Sequence, residues 1–178
     1  MRKAVFLDRD GTLIDNGGYL ATPDGVQFYE GVEKALLDWE KAEYLRIVIT
    51  NQSGVARGFH TSRDVEAIHH RMSEILSRSN ASIDAYYFCP HHPDFDKNSA
   101  CRKPAPGMFH QAIEEWSIDP SLSWAVGDTP RDLLAPYSLG MKTALVRTGQ
   151  GERIAPEILP PFTEIFEGFV SLTERLLL

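Results

Sequence analysis

Short apolar runs alternate with amphipathic stretches along this chain, and that alternation is the feature that most constrains its fold. The apolar runs predict strands at residues 4–7, 45–49, 83–88, 123–127, 143–146 and, at one edge, 164–166. Helical spacing of apolar residues predicts helices at 32–41, 61–79, 107–116, 131–139 and from Leu172 onward. Because such alternation places helices on both faces of a parallel sheet, we predict an α/β, three-layer Rossmann-like fold.

Length and charge narrow the class of protein. The 178 residues fit a single domain spanning 1–178, with a core that needs no disulfide staples. A net charge of −7 excludes the broad basic surface of a non-specific nucleic-acid binder. No apolar run approaches the roughly 20 residues of a membrane span, and no signal segment opens the chain. We expect a cytoplasmic monomer with reduced thiols that binds a small molecule and neither nucleic acid nor membrane.

Polar clusters follow the predicted strands at the points where the strands end. These clusters are 8–12, 50–53, 102–104 and 127–128 with Asp132. In open parallel sheets, ligands bind beyond the carboxyl ends of the strands. We therefore expect these distant segments to converge at one edge of the sheet.

Asp8 and Asp10 bracket Arg9, and Gly11 then permits a sharp turn. Two close carboxylates repel each other, so one stays protonated unless a cation compensates. Such a pair suits a nucleophile, a general acid–base and ligands for a divalent metal. The alternative is an ordinary turn in which both acids cap backbone amides.

The next two clusters offer groups for a phosphoryl oxygen. Thr50 presents a hydroxyl beside the backbone amides of Asn51 and Gln52. Lys103 is a compact point charge, and Arg102 offers a planar fork for a second anion. Taken alone, a strand-end threonine and a solvated Arg–Lys pair are common features without function.

Asp128 and Asp132 stand four positions apart near a predicted helix start. They could complete a Mg²⁺ site, since Mg²⁺ prefers hard oxygen ligands at about 2.1 Å. They could equally cap the helix and complement its dipole.

Together these clusters resemble the haloacid dehalogenase (HAD) superfamily of phosphohydrolases across essentially the whole chain. The resemblance implies that Asp8 attacks phosphorus and that Asp10 is the general acid–base. It implies that Thr50 and Lys103 stabilise the phosphoryl group. The implied Mg²⁺ ligands are Asp8, Asp10 and Asp128, with Asp132 supporting either the ion or Lys103.

A closer resemblance is to the capless branch, subfamily IIIA, that contains heptose-bisphosphate and histidinol-phosphate phosphatases. About twenty residues separate Asp10 from the first predicted helix, too few for a lid domain. The segments that resemble the heptose enzymes are 16–19, 50–58, 89–93 and 101–104. The resemblance implies substrate contacts at Asn16, Gly17, Gly18, Tyr19, Asn51, Gln52, Ser53 and Arg102.

The implied activity is hydrolysis of the 7-phosphate of a heptose 1,7-bisphosphate, in synthesis of bacterial lipopolysaccharide. One alternative substrate is histidinol phosphate or another small phosphomonoester. A different class is a phosphosugar-binding regulator without turnover, but such a protein needs no nucleophile. Thr129 stands where the heptose enzymes have a substrate-contacting lysine.

The loop 89–103 resembles the structural zinc loop of this branch, with Cys89, His91 and Cys101 as implied ligands. Ser99 replaces the fourth ligand, a cysteine, and structural zinc sites almost always have four ligands. His92 or Asp96 could fill that position. The alternative is a loop ordered by prolines and hydrogen bonds, with two buried thiols.

Overall fold

The computed structural model describes residues 1–15 and 20–176 of the chain. Its strands are β1 (Lys3–Leu7), β2 (Ile14–Asp15), β3 (Gln27–Phe28), β4 (Tyr44–Asn51), β5 (Ala85–Cys89), β6 (Trp124–Gly127), β7 (Lys142–Val146) and β8 (Glu164–Phe166). Its helices are α1 (Val32–Lys41), α2 (Ser62–Ser77), α3 (Gly107–Trp116), α4 (Pro130–Ser138) and α5 (Phe169–Leu176). None of the described helices is long and apolar enough to span a bilayer.

The central sheet has six strands in the order β5-β4-β1-β6-β7-β8, and every pair in it is parallel. The predicted α/β fold with a parallel sheet is therefore confirmed. Strand β1 lies in the middle, where Leu7 pairs with Val48 of β4 and with Val126 of β6. This register aligns the carboxyl ends of three strands, so the residues that follow them meet at one edge.

Alternate side chains of β1 enter separate cores on the two faces of the sheet. Val5 and Leu7 pack with α1, α2 and α5, whereas Ala4 and Phe6 pack with α3 and part of α4. All four of these β1 side chains are buried, as expected for a parallel strand covered on both faces. The centre of the sheet is thus a rigid base for the loops at its edge.

A small antiparallel hairpin pairs Ile14 with Phe28 and was not predicted. Each of its strands has two residues, which is too short for an alternating pattern to show in the sequence. Between Asp10 and α1 the described residues form this hairpin and one short turn at Pro23–Gly25, so no lid domain is inserted there. The prediction of a capless fold is confirmed.

Candidate active site

A cavity of about 710 Å³ opens at the carboxyl ends of the central strands. The predicted residues that line it are Asp8, Asp10, Thr50, Asn51, Gln52, Ser53, Arg102, Lys103, Asp128 and Asp132. The predicted contacts at Asn16, Gly17, Gly18 and Tyr19 lie outside the described residues. Residues far apart in the chain, such as Asp8 and Lys103 at a separation of 95 positions, therefore meet in one site.

Lys103 lies at the bottom of this site and is 3% exposed. Its Nζ donates to Asp8 Oδ1 at 2.7 Å and to the Ile49 carbonyl at 2.6 Å, and it pairs with Asp132 Oδ1 at 2.8 Å. Burial disfavours the ammonium ion, but the carboxylates of Asp132 and Asp8 outweigh burial and raise the pKa of Lys103. Lys103 is thus a fixed positive charge beside the predicted nucleophile.

Asn51 fixes the position of Lys103 through two hydrogen bonds to its backbone. The Asn51 side chain donates to the Lys103 carbonyl at 3.1 Å and accepts from the Lys103 amide at 3.0 Å. The sequence predicted a substrate contact at Asn51. In the structure its side-chain amide joins β4 to the loop that carries the lysine.

Burial raises the pKa of Asp8 to about 7. The positive charge of Lys103 opposes this rise, and the neighbouring carboxylates reinforce it, namely Asp132, Asp128 and Asp10. Burial and the charge of Asp132 also raise the pKa of Asp128 to about 6. A cluster of carboxylates with one lysine among them therefore has an excess of negative charge.

Carboxylate oxygens of Asp8, Asp128 and Asp132 lie within 4.8 Å of one another. Asp132 is already occupied, because Oδ1 faces Lys103 and Oδ2 accepts from the backbone amide of Thr129 at 3.0 Å. Asp128 Oδ2 accepts from the Gln150 amide at 2.8 Å. Hard oxygen donors with uncompensated charge suit Mg²⁺, and Asp132 is better placed to hold Lys103 than the ion.

Gly11 is required beside this carboxylate cluster. Its φ of +82° favours glycine, and a Cβ there would lie 2.3 Å from Asp128 Oδ2. The glycine of the predicted turn thus also leaves room for the Asp128 carboxylate, which follows β6.

The Asp10 side chain is turned away from the carboxylate cluster towards Gln52 and Arg9. Gln52 Nε2 donates to Asp10 Oδ2 at 2.6 Å and to Thr50 Oγ1 at 2.9 Å. The metal contact predicted for Asp10 stays a prediction, because both of its carboxylate oxygens accept from Arg9 in this structure. Gln52, also predicted as a substrate contact, is 4% exposed and connects Asp10 to Thr50.

Three arginines line the cavity, and two of them, Arg57 and Arg131, were not predicted from the sequence as site residues. Arg57 Nη2 lies 2.6 Å from His92 Nε2, and Arg102 Nη1 donates to the His91 carbonyl at 3.0 Å. Arg57 belongs to the segment 50–58 that resembles the heptose enzymes, so a signal for it was present. Arg131 lies in none of the segments that resemble the heptose enzymes. A cation is unfavourable in the first turn of a helix, so nothing in the sequence indicated a functional arginine there.

Cys89 and Cys101 form a disulfide with a Cα–Cα distance of 5.6 Å, so the expectation of reduced thiols is wrong for this structure. The chain returns on itself between them and brings both sulfurs within 4.8 Å of His91 Nδ1. Ser99 Oγ, at the predicted position of the missing ligand, lies 2.7 Å from His91 Nδ1. A disulfide supplies no thiolate, so zinc does not fit the oxidised loop.

The HAD-hydrolase-like family model matches residues 100–163. A D-glycero-beta-D-manno-heptose-1,7-bisphosphate 7-phosphatase of Haemophilus ducreyi is 42% identical, over 92% of this chain and 96% of its own length. The Haemophilus influenzae protein of the same name is 39% identical, over 93% and 95%.

Among solved structures, the chain is similar to D,D-heptose 1,7-bisphosphate phosphatase from B. bronchiseptica complexed with magnesium and phosphate. The TM-score is 0.89 at 33% identity, covering 99% of this chain and 98% of the other. The Burkholderia thailandensis phosphatase of the same name gives a TM-score of 0.75 at 28% identity, covering 99% of each chain.

Proposed function

The chain belongs to the family of D-glycero-beta-D-manno-heptose-1,7-bisphosphate 7-phosphatases within the HAD-like hydrolases, and on that premise we propose that it removes the 7-phosphate of this heptose bisphosphate. It is a phosphoric monoester hydrolase, and its product serves lipopolysaccharide synthesis. The observation that carries the phosphatase chemistry is the buried contact of 2.7 Å between Lys103 Nζ and Asp8 Oδ1, and the choice of substrate rests on the relatives of that name.

In the first step, the Asp8 carboxylate attacks phosphorus and Asp10 gives its proton to the leaving sugar oxygen. The sugar leaves as an alcohol, and the phosphoryl group stays on Asp8. In the second step, Asp10 takes a proton from water, which attacks phosphorus and releases inorganic phosphate. Asp8 and the protonated Asp10 are then ready for another cycle.

Lys103 and Thr50 stabilise the phosphoryl group through both steps. Phosphoryl transfer depends on positioning and electrostatics, and the ammonium is held rigidly where negative charge accumulates. Thr50 is 1% exposed, and the Gln52 amide orients its hydroxyl.

Asp8 and Asp128 are the side chains proposed to hold Mg²⁺, with Asp10 as a further contact. When bound, the ion supplies positive charge that offsets the carboxylates and the phosphoryl oxygens. The relative solved with magnesium and phosphate supports Mg²⁺ as the ion, and the carboxylate cluster of this chain supports the choice of Asp8 and Asp128.

The second phosphate of the substrate would lie near the three cavity arginines, Arg57, Arg102 and Arg131. Guanidinium groups match phosphate geometry, and three of them in one cavity favour a bisphosphate over histidinol phosphate. Ser53 and the segment 16–19 are proposed as further sugar contacts.

A phosphate-release panel tests the proposed substrate. It compares both anomers of the heptose bisphosphate with histidinol phosphate and fructose 1,6-bisphosphate, and Asp8→Asn serves as the inactive control. We expect the highest kcat/KM for one heptose anomer. Equal or faster release from histidinol phosphate would refute the substrate assignment and leave the phosphatase chemistry intact.

For the loop 89–101, we propose that zinc binds once the disulfide is reduced, as expected in a cytoplasm that keeps thiols reduced. The ligands would be Cys89, His91, Cys101 and Asp96, whose Oδ2 lies 3.1 Å from His91 Nδ1. His92 is a poor fourth ligand, since its ring nitrogens face Arg57 and the Asp94 amide.

Metal analysis of protein reduced with dithiothreitol and dialysed against zinc tests this proposal. We expect one zinc per chain, weaker binding in Asp96→Asn, and unchanged binding in the control Asp94→Asn. Zinc at background level in the reduced protein would rule the site out.

A further inference from the structure

Arg9, which stands between Asp8 and Asp10 in the sequence, is completely buried, with 0% exposure. Its Nε and Nη2 both donate to the Asp10 carboxylate, at 2.9–3.2 Å. A buried guanidinium is costly unless its donors are paired. Asp10 therefore stabilises the buried charge of Arg9, and the rigid guanidinium in turn holds both carboxylate oxygens of Asp10.

The other side of the Arg9 fork reaches His69 on α2. Arg9 Nη1 lies 3.3 Å from His69 Nε2, and His69 is 7% exposed. The imidazole stacks on Tyr86, with ring centroids 4.5 Å apart and an interplanar angle of 16°. The ring is thus locked against β5 with one nitrogen directed at Arg9.

His69 can accept a hydrogen bond from Arg9 only as the neutral imidazole. Burial, followed by the charge of Arg9, lowers the pKa of His69 to about 3. The ring is therefore neutral at physiological pH, with its proton on Nδ1 and the Nε2 lone pair facing the guanidinium.

We propose that Arg9 and His69 form a positioning pair for Asp10: His69 orients the Arg9 guanidinium, and the guanidinium fixes the Asp10 carboxylate among the residues that line the cavity. This inference depends on the proposed role of Asp10 as the general acid–base. Gln52 Nε2 also donates to Asp10 Oδ2 at 2.6 Å, so two residues fix the carboxylate. A group that both gives and takes a proton gains from a fixed position, since small displacements slow proton transfer.

Three single variants test the pair, with kcat, KM and Tm measured on the heptose bisphosphate. In His69→Leu, we expect kcat to fall about tenfold with KM nearly unchanged, because the lost hydrogen bond affects the chemical step. In His69→Gln, whose side-chain oxygen can accept from Arg9, we expect kcat close to wild type. The control is His70→Leu, which alters the exposed neighbour on the same helix.

A double-mutant cycle keeps the inference testable if one variant is unstable. Arg9→Lys keeps the charge but loses the fork, and we expect kcat to fall about a hundredfold. Adding His69→Leu to Arg9→Lys should cause no further loss, because His69 acts through Arg9. Additive losses, equal losses in His69→Gln and His69→Leu, or a KM that rises as kcat falls would overturn the proposal.

Failure of the inference is separable from failure of the proposed function. If the wild-type protein releases phosphate but His69→Leu retains its kcat, the positioning pair alone is wrong. If the wild-type protein releases no phosphate from any member of the panel, the proposed function itself is wrong.

Discussion

Asp8 is the residue whose protonation decides how the site binds a cation. Burial and the neighbouring acids raise the pKa of Asp8 to about 7 and that of Asp128 to about 6. As the proposed ligands, both carboxylates bind Mg²⁺ when they are deprotonated, so we expect the affinity to be highest from about pH 8 upward and to fall as the pH decreases through these two pKa values.

We therefore predict that Mg²⁺ binds much more weakly at about pH 5.5 than at about pH 8, by up to about tenfold per pH unit for each proton displaced. Isothermal titration calorimetry in two buffers of different ionisation enthalpy measures both the affinity and the proton release. An affinity that does not change with pH would contradict the assignment of Asp8 and Asp128.

Lys103 is the cation that Asp8 and Asp132 share. Lys103→Met leaves Asp8 and Asp132 without their cation, so we expect kcat to fall by about a hundredfold to a thousandfold. Lys97→Met, at an exposed position of the preceding loop, is the matched control. A Lys103→Met enzyme with kcat near that of the control would remove the lysine from catalysis.

The sequence predicted Asp8, Thr50, Lys103 and Asp128 as site residues because each lies at the end of a predicted strand or in the loop that follows one. It did not reveal that Gln52 and Asn51 act on other site residues, nor that His69 reaches the site from α2. Those roles depend on where a side chain points within a packed layer, and residue spacing carries no such information.

The start of α4 shows how a helix end contributes to the site. Asp132 Oδ2 accepts from the Thr129 amide and hydroxyl, which caps the helix, while Oδ1 faces Lys103. Asp132 therefore both caps the helix and supports Lys103, as the two interpretations of the sequence predicted. Thr129 thus has a structural partner in this chain.

Thr129→Ala should lower the free energy of unfolding by about 1 kcal/mol and also lower kcat, because Asp132 loses a donor that orients it towards Lys103. Thr61→Ala is the control, since Thr61 caps α2 with Asp64 in the same geometry away from the cavity. We expect equal losses of stability, measured by urea unfolding, with kcat reduced only for Thr129→Ala. A kcat reduced equally in both variants would contradict the link through Asp132.

Among the elements, strands and helices with several buried apolar residues were predictable from their spacing. The β2–β3 hairpin was not, because its strands are too short to show a period. Helix α5 begins at Phe169, three residues before the predicted start, and Phe169 packs in the core beside Trp39. Its start is set by that tertiary contact.

For the whole molecule, the sheet order accounts for why distant segments form one site. With β1 between β4 and β6, the acids after β1 lie beside Thr50 on one side and Asp128 on the other. The strand-end rule predicted this convergence, and we propose that residues 1–178 act as one monomeric domain. The Cys89–Cys101 disulfide was not predictable, since the same spacing suited metal ligands.

The central claim is that Asp8 carries the phosphoryl group during turnover. Its most direct test is acid quenching of the enzyme within milliseconds of mixing with heptose bisphosphate and Mg²⁺, followed by peptide mass spectrometry. We predict one phosphoryl group on the peptide that contains Asp8, absent in Asp8→Asn. Rapid phosphate release with no phosphorylated peptide, or with the phosphoryl group on another residue, would contradict the account.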